Sequence, residues 1–274
     1  MDRSLGKTAF LQLGSEKNKI FYHRAYKKFN GSSTSCRWTF FSLWIIVDLV
    51  VLAAQYHVLE RFVFVAAKIL QWLNCPVQMN LWPARMLILD DMPYLVLPVR
   101  FPGPGLALCN FIVCIAIVMG LPRIRKIPRP IMVWTAFVAV INAISSAYFI
   151  VWPHLFPYDI GHFSVLYLGT VLGVWLMIPI VMGAALAPLP ASFVEKAGVV
   201  ALTLAYAILF GMVRYVVFLF LLYKASVLYM AVLFFSFGPL FDFIYIVSIY
   251  SYYGKVLALR LKHDEDAWQW LYSH

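Results

Sequence analysis

The chain has 274 residues, of which 63% are hydrophobic and only 12% charged, and its mean hydropathy is +0.82. A soluble domain holds roughly 45–50% apolar and about 25% charged residues. This composition therefore excludes a soluble globular protein, a disordered chain and a nucleic-acid module, and four cysteines are too few for a disulfide scaffold. The remaining class is an all-α polytopic membrane protein.

Net charge is +10, and its distribution carries the information. Residues 1–37 hold eight Lys/Arg (Arg3, Lys7, Lys17, Lys19, Arg24, Lys27, Lys28, Arg37) against Asp2 and Glu16. This basic tail has no apolar signal-peptide core, so the first apolar segment is expected to be a retained anchor. Asn30-Gly31-Ser32 is a glycosylation sequon. On the cytoplasmic side, where the tail is expected, it would stay unmodified.

A membrane span needs ~20 apolar residues. Six segments qualify: Trp38–Tyr56, Pro104–Leu121, Ile131–Trp152, Gly161–Ala187, Gly198–Leu222 and Ser226–Tyr253. Between the first two lies a 48-residue stretch, 56–103, expected on the outer face. Within it Glu60–Leu73 has helical spacing of apolar residues interrupted by Glu60, Arg61, Lys68 and Gln71, which predicts an interfacial amphipathic helix. The following Pro-rich surface segment forbids long helix and predicts a short strand or re-entrant piece. Further along, Arg123, Arg125, Lys126 and Arg129 form a second basic cluster without an acid. Placing both clusters inside puts 16 of the 22 Lys/Arg and both termini in the cytoplasm. The same clusters suit anionic lipid or an acidic partner. The domain reading is thus a basic tail over 1–37, a helical membrane domain over 38–253, and a C-tail over 254–274. In that tail Trp268, Trp270 and Tyr272 predict a short interfacial helix anchored by aromatics, or a docking tail.

Three ionisable residues fall inside the spans: Asp48, Arg214 and Asp242. Charges at membrane depth are costly and are expected to pair or to serve a function. At 1.5 Å per helical residue, Asp48 lies about 15 Å from the inner end of its span and Arg214 about 12 Å below the outer end of its own. Asp242 lies about 24 Å below the outer end of the last span. Matching depths predicts an Asp48–Arg214 ion pair. The fourth span carries Gly169-Thr-Val-Leu-Gly173, a small-residue pattern for helix packing.

Cys109 stands at the outer end of the second span, His162 at the outer end of the fourth, and His154 in the loop before it. A thiol, a base and a cation such as Arg214 are the groups that nucleophilic acyl transfer uses. The alternative is that Cys109 and the histidines only pack. The sequence Leu108-Cys109-Asn110-Phe111, then Asn142-Ala143-Ile144-Ser145, then Gly161-His162-Phe163-Ser164 resembles the exosortase/archaeosortase family of membrane transpeptidases. The resemblance implies a cysteine, an Asn-x-x-Arg and a histidine as the catalytic set. Ser145 replaces the arginine here, and the Ser-Gly after the cysteine is absent. A second register uses Gly211-Met-Val-Arg214 as the arginine motif, but it puts the cysteine position on His162 and the final histidine near Ser236, so neither register restores all three residues.

No intact P-loop, HExxH or GxSxG motif occurs. The functional expectation is a non-catalytic integral membrane subunit or assembly factor of an envelope complex, exosortase-like in fold. It would sit in a bacterial or archaeal cytoplasmic membrane. A membrane cysteine transpeptidase using Cys109, His162 and Arg214 is the alternative, and a small transporter or channel the third. No cofactor or metal is expected. The expected partners are the lipid bilayer and other membrane protein subunits, not nucleic acid.

Overall fold

The computed structural model describes residues 27–29, 33–82, 92–123, 128–261 and 268–270. Most of the basic tail, the sequon, Arg125 and Lys126 lie outside these residues. In chain order the elements are β1 (Lys27–Phe29), α1 (Ser33–Trp72), β2 (Gln78–Trp82), β3 (Met92–Val96), α2 (Pro104–Gly120) and α3 (Arg129–Val151). They continue with α4 (Ile160–Leu186), α5 (Phe193–Lys224), α6 (Met230–Phe237), α7 (Pro239–Arg260) and β4 (Trp268–Trp270). Six helical segments are long and apolar enough to cross a membrane, so the chain is an all-α polytopic integral membrane protein with small β additions.

The first helix departs from the sequence reading. The expected span and the expected interfacial helix are one 40-residue helix, about 60 Å long at 1.5 Å per residue. Ser33–Trp72 contains neither Pro nor Gly, so nothing interrupts it. The charged Glu60, Arg61 and Lys68 lie on its exposed side, while Leu59, Phe62, Val63, Ala66 and Leu70 are buried in the core. Asn74 then adopts φ 58°. The Cys75 N–H donates to the Leu70 carbonyl and the Asn74 N–H to that of Gln71, which closes a Schellman motif. Pro76 bars any continuation.

The Pro-rich segment forms an antiparallel hairpin with Gln78 opposite Val96 and Trp82 opposite Met92. Strand β3 is the buried member and packs on α1 and α4. This end of the bundle is the hairpin side. The C-tail is not the expected interfacial helix: Trp268–Trp270 pairs antiparallel with Lys27–Phe29. Strand pairing satisfies backbone groups that a three-residue helical turn would leave open. The two tails thus meet on one side, as an even number of spans requires.

Helices α4 and α5 form the centre, and α1 and α7 pack against them. Helix α2 packs chiefly on α3, forming a second layer with its own small core of Cys114, Ala139 and Ala143. Hydrogen bonds run between the two: the Asn110 Nδ2 donates to Ser146 Oγ at 2.7 Å, and that of Asn142 to Asn110 Oδ1 at 3.5 Å. Such side-chain bonds hold membrane helices together where lipid offers no hydrophobic drive. The Gly169/Gly173 pattern does not mark a close crossing at Gly173, where a Cβ would meet nothing within 4 Å. Neighbouring helices instead come into van der Waals range at Gly183, beside Phe40 and Leu43, and at Gly211, beside Phe62 and Val171.

The expected last span is divided. After a 3-10 turn at Val227–Tyr229, α6 runs only eight residues before Gly238, and α7 restarts with Pro239 at its first position. Proline cannot donate to the preceding turn and clashes with its carbonyl, so the ladder breaks there.

Candidate functional site

Two buried groups of hydrogen bonds, joined by a stacked pair of tyrosines, run into the bundle from the hairpin. Among the described residues the inward edge of β3 has no strand beside it. Instead the Leu95 N–H donates to Ser164 Oγ of α4 at 3.2 Å and to the Tyr215 hydroxyl of α5 at 3.3 Å. Ser164 Oγ and the Tyr215 hydroxyl also hydrogen-bond each other. These side chains satisfy an edge amide that would otherwise be orphaned in an apolar core.

Tyr215 stacks on Tyr167, one turn beyond Ser164, with ring centroids 5.3 Å apart and an interplanar angle of 17°. The Tyr167 hydroxyl donates to the Gly211 carbonyl at 2.9 Å and accepts from Arg214 Nε at 2.8 Å. Arg214 is buried. It lies ten residues before the end of α5, about 15 Å from the hairpin side. Its Nη1 donates to the carbonyls of Gly238 at 2.8 Å and Phe237 at 3.3 Å, and its Nη2 to Asp242 Oδ2 at 3.0 Å. The guanidinium therefore bridges the break between α6 and α7 and neutralises the carboxylate in the first turn of α7. Its Cζ lies 5.5 Å from the Tyr167 centroid and 5.7 Å from that of Phe210, within cation–π range.

This corrects the expected Asp48–Arg214 pair. Arg214 pairs with Asp242. The Asp48 carboxyl group interacts with Trp44 on its own helix, and its Oδ1 is buried without a hydrogen-bond partner. The depth match failed because it treated the last span as one straight rod from Ser226. The break at Gly238 redirects that rod, and a long arginine side chain covers the remaining distance. The Gly238-Pro239 dipeptide in mid-span is the signal that would have shown it.

The three groups of the transpeptidase reading lie apart in their contacts. Cys109 is exposed on α2. His162 stands in the first turn of α4, half exposed, with its ring beside Trp82 (5.6 Å) and Tyr158 (6.2 Å). Asp159 caps that helix: its Oδ1 accepts from the His162 N–H at 2.7 Å and from His162 Nδ1 at 2.8 Å. Partial burial pushes the Asp159 carboxyl up, but these bonds and the Gly161 N–H outweigh it and leave it below the usual carboxylate value. No hydrogen bond, ion pair or ring contact joins Cys109, His162 and Arg214 among the described residues. The His154 side chain lies outside the described part of the structure. Nor do three His, Cys, Asp or Glu side chains gather as a metal site among the described residues.

Sequence reasoning singled out Arg214 and Asp242 but missed Tyr167, Tyr215 and Ser164. Their spacing offers a faint signal: 164 and 167 lie one helical turn apart and so share a face, yet aromatic and small residues are common throughout these spans. No protein-family model matches the chain, and no curated protein or solved structure shows a significant similarity to it.

Proposed function

We propose that this protein is a non-catalytic integral membrane subunit or assembly factor of a larger membrane complex. In this reading it sits in a bacterial or archaeal cytoplasmic membrane with both tails in the cytoplasm. One observation carries the reading: the Arg214 guanidinium is bound by acceptors of its own chain, namely Tyr167, Phe237, Gly238 and Asp242. In the second register of the exosortase resemblance Arg214 is the motif arginine. An arginine that stabilises a developing oxyanion needs donors free to face the substrate. Here those donors hold a broken helix together, which is a structural duty.

The test replaces the pair by uncharged residues of similar volume, Arg214→Met with Asp242→Leu, beside Cys109→Ser. Swapping a buried ion pair for packed apolar groups is often tolerated. Under the scaffold reading both variants accumulate in the membrane and migrate after mild solubilisation in the same stoichiometric assembly as the wild type. A wild type that migrates as a lone chain would count against it. So would loss of the assembly's activity in Cys109→Ser at normal protein levels.

A further inference from the structure

On the hairpin side, where α2 begins and α3 ends, the chain forms a half-open cavity of about 520 Å³ walled by Phe101, Pro102, Pro104, Phe149, Ile150 and Phe156. Its size falls in the range of sites that take small molecules, about 300–1,000 Å³. The side chains of the wall are all apolar. Pro104 opens one candidate span and Val151 closes another, so the cavity lies at the membrane boundary. Trp152 and Tyr158 are exposed beside it, as aromatics are at such a boundary.

Two exposed cations adjoin this wall, one by sequence and the other by its contact with the first. Arg100 directly precedes Phe101 and is exposed. Its backbone is fixed, because its carbonyl accepts from the Val227 N–H at 3.1 Å. One of its five N–H donors reaches the Lys224 carbonyl at 3.2 Å, which brings the two residues together. Lys224 is exposed, with its Nζ over the Tyr223 ring at 5.3 Å. Neither cation is in an ion pair among the described residues. Two cations without an ion pair among the described residues, at the boundary of the candidate spans and next to an apolar slot, complement one chemistry.

We propose that this is a binding site for an anionic glycerophospholipid, with the phosphodiester on Arg100 and Lys224 and one acyl chain in the slot. Arginine suits the role because its planar fork offers paired donors to phosphate oxygens, while Lys224 adds a point charge. The site is separate from the Arg214 network and does not depend on the scaffold reading.

Native mass spectrometry of the full chain tests it, using micelles doped equally with dioleoyl-phosphatidylglycerol and dioleoyl-phosphatidylcholine. The wild type should retain one phosphatidylglycerol with a preference on the order of tenfold. Arg100→Gln with Lys224→Gln should abolish the preference, and Ile150→Trp, which fills the slot, should remove the retained lipid. Lys68→Gln, a cation elsewhere on the hairpin side, should change neither. Because Arg100 also holds the Lys224 carbonyl, Lys224→Gln alone serves as the variant that folds, and it should lower the preference severalfold. An unchanged preference in Lys224→Gln would overturn the proposal. An equal loss in Lys68→Gln would do the same, since it would mark a general surface-charge effect. Displacement of the lipid by an excess of inorganic phosphate would overturn it too, reducing the site to a simple anion site.

Discussion

Arg214 of α5 and Asp242 of α7 meet at 3.0 Å with both side chains nearly sealed from solvent, across a point where the helix carrying Asp242 has just restarted. Removing one member of a buried pair leaves the other charged and unpaired, at a cost of about 3–5 kcal/mol. Arg214→Ala and Asp242→Ala should each lower thermal stability in detergent by an amount in that range. The arginine variant should lose more, because the Phe237 and Gly238 carbonyls and the Tyr167 hydroxyl lose a donor with it. The double variant should recover part of the sum. Asp48→Ala should be additive with Arg214→Ala. Strict additivity of the Arg214 and Asp242 effects would show that the contact contributes nothing.

Gly238 is irreplaceable for a steric reason. A Cβ there would lie 2.5 Å from the Phe234 carbonyl oxygen, a backbone atom that cannot turn aside. Gly238→Ala should therefore displace α6 against α7 and disturb the Arg214 bonds as well. At Gly254, which unlike Gly238 lies inside a helix, a Cβ meets nothing within 4 Å. Gly254→Ala should be neutral or stabilising by ~0.5–1 kcal/mol. The melting temperature should fall for Gly238→Ala and hold or rise for Gly254→Ala.

The Asp159 cap makes the start of α4 sensitive to acid. Its carboxyl lies below the ordinary value in the folded state, so its stabilisation is fully present above the unfolded value of about 3.9 and disappears as pH falls through the lower folded value. Asp159→Ala should cost about 1 kcal/mol at neutral pH. Asp159→Asn keeps a capping oxygen and removes the titration. Thermal melts between about pH 2 and 5 should show a steeper decline for the wild type than for Asp159→Asn. Parallel curves would disprove the assignment.

Leu95 shares its amide proton between two hydroxyls, so losing one is partly compensated by the other. Tyr215→Phe and Ser164→Ala should each cost about 1 kcal/mol, and together more than their sum, because only the double variant orphans the buried N–H. Hydrogen exchange at the Leu95 amide reads this directly. It should accelerate modestly in the single variants and strongly in the double.

Spans were legible because hydropathy is a sum over about twenty residues and forgives local irregularity. Pro104, Arg129, Ile160 and Phe193 begin helices within a few residues of where composition places them. Polar partners were not legible in the same way. Pairing depends on the direction of each helix to within a side-chain length, and a single φ/ψ change at Gly238 undoes a depth calculation. The stretch after Tyr56 was misread for another reason. Glu60, Arg61 and Lys68 lower the local hydropathy of α1, but they occupy only its exposed side, and a continuous helix carries them without interruption. Likewise Trp268–Trp270 carried an aromatic signal for the interface but none for the strand that Lys27–Phe29 provides from the other end of the chain.

The unbroken α1 has a mechanical consequence. It is about twice as long as the ~30 Å hydrocarbon layer is thick. With no Pro or Gly in it, it has no hinge at the membrane surface. Its hairpin half packs within the bundle, with Phe62 against Trp175 and Tyr215, so the part in excess of the lipid is the Ser33 end, and span and excess behave as the two arms of one lever. Transmembrane helices tilt to accommodate changes in bilayer thickness. A change of about 10° would swing an arm of about 30 Å by roughly 5 Å at its tip. That tip is the Ser33 end of α1, which strand β1 closely precedes. Membrane thickness would thus be read out as the lateral position of the β1–β4 strand pair, where the two tails meet.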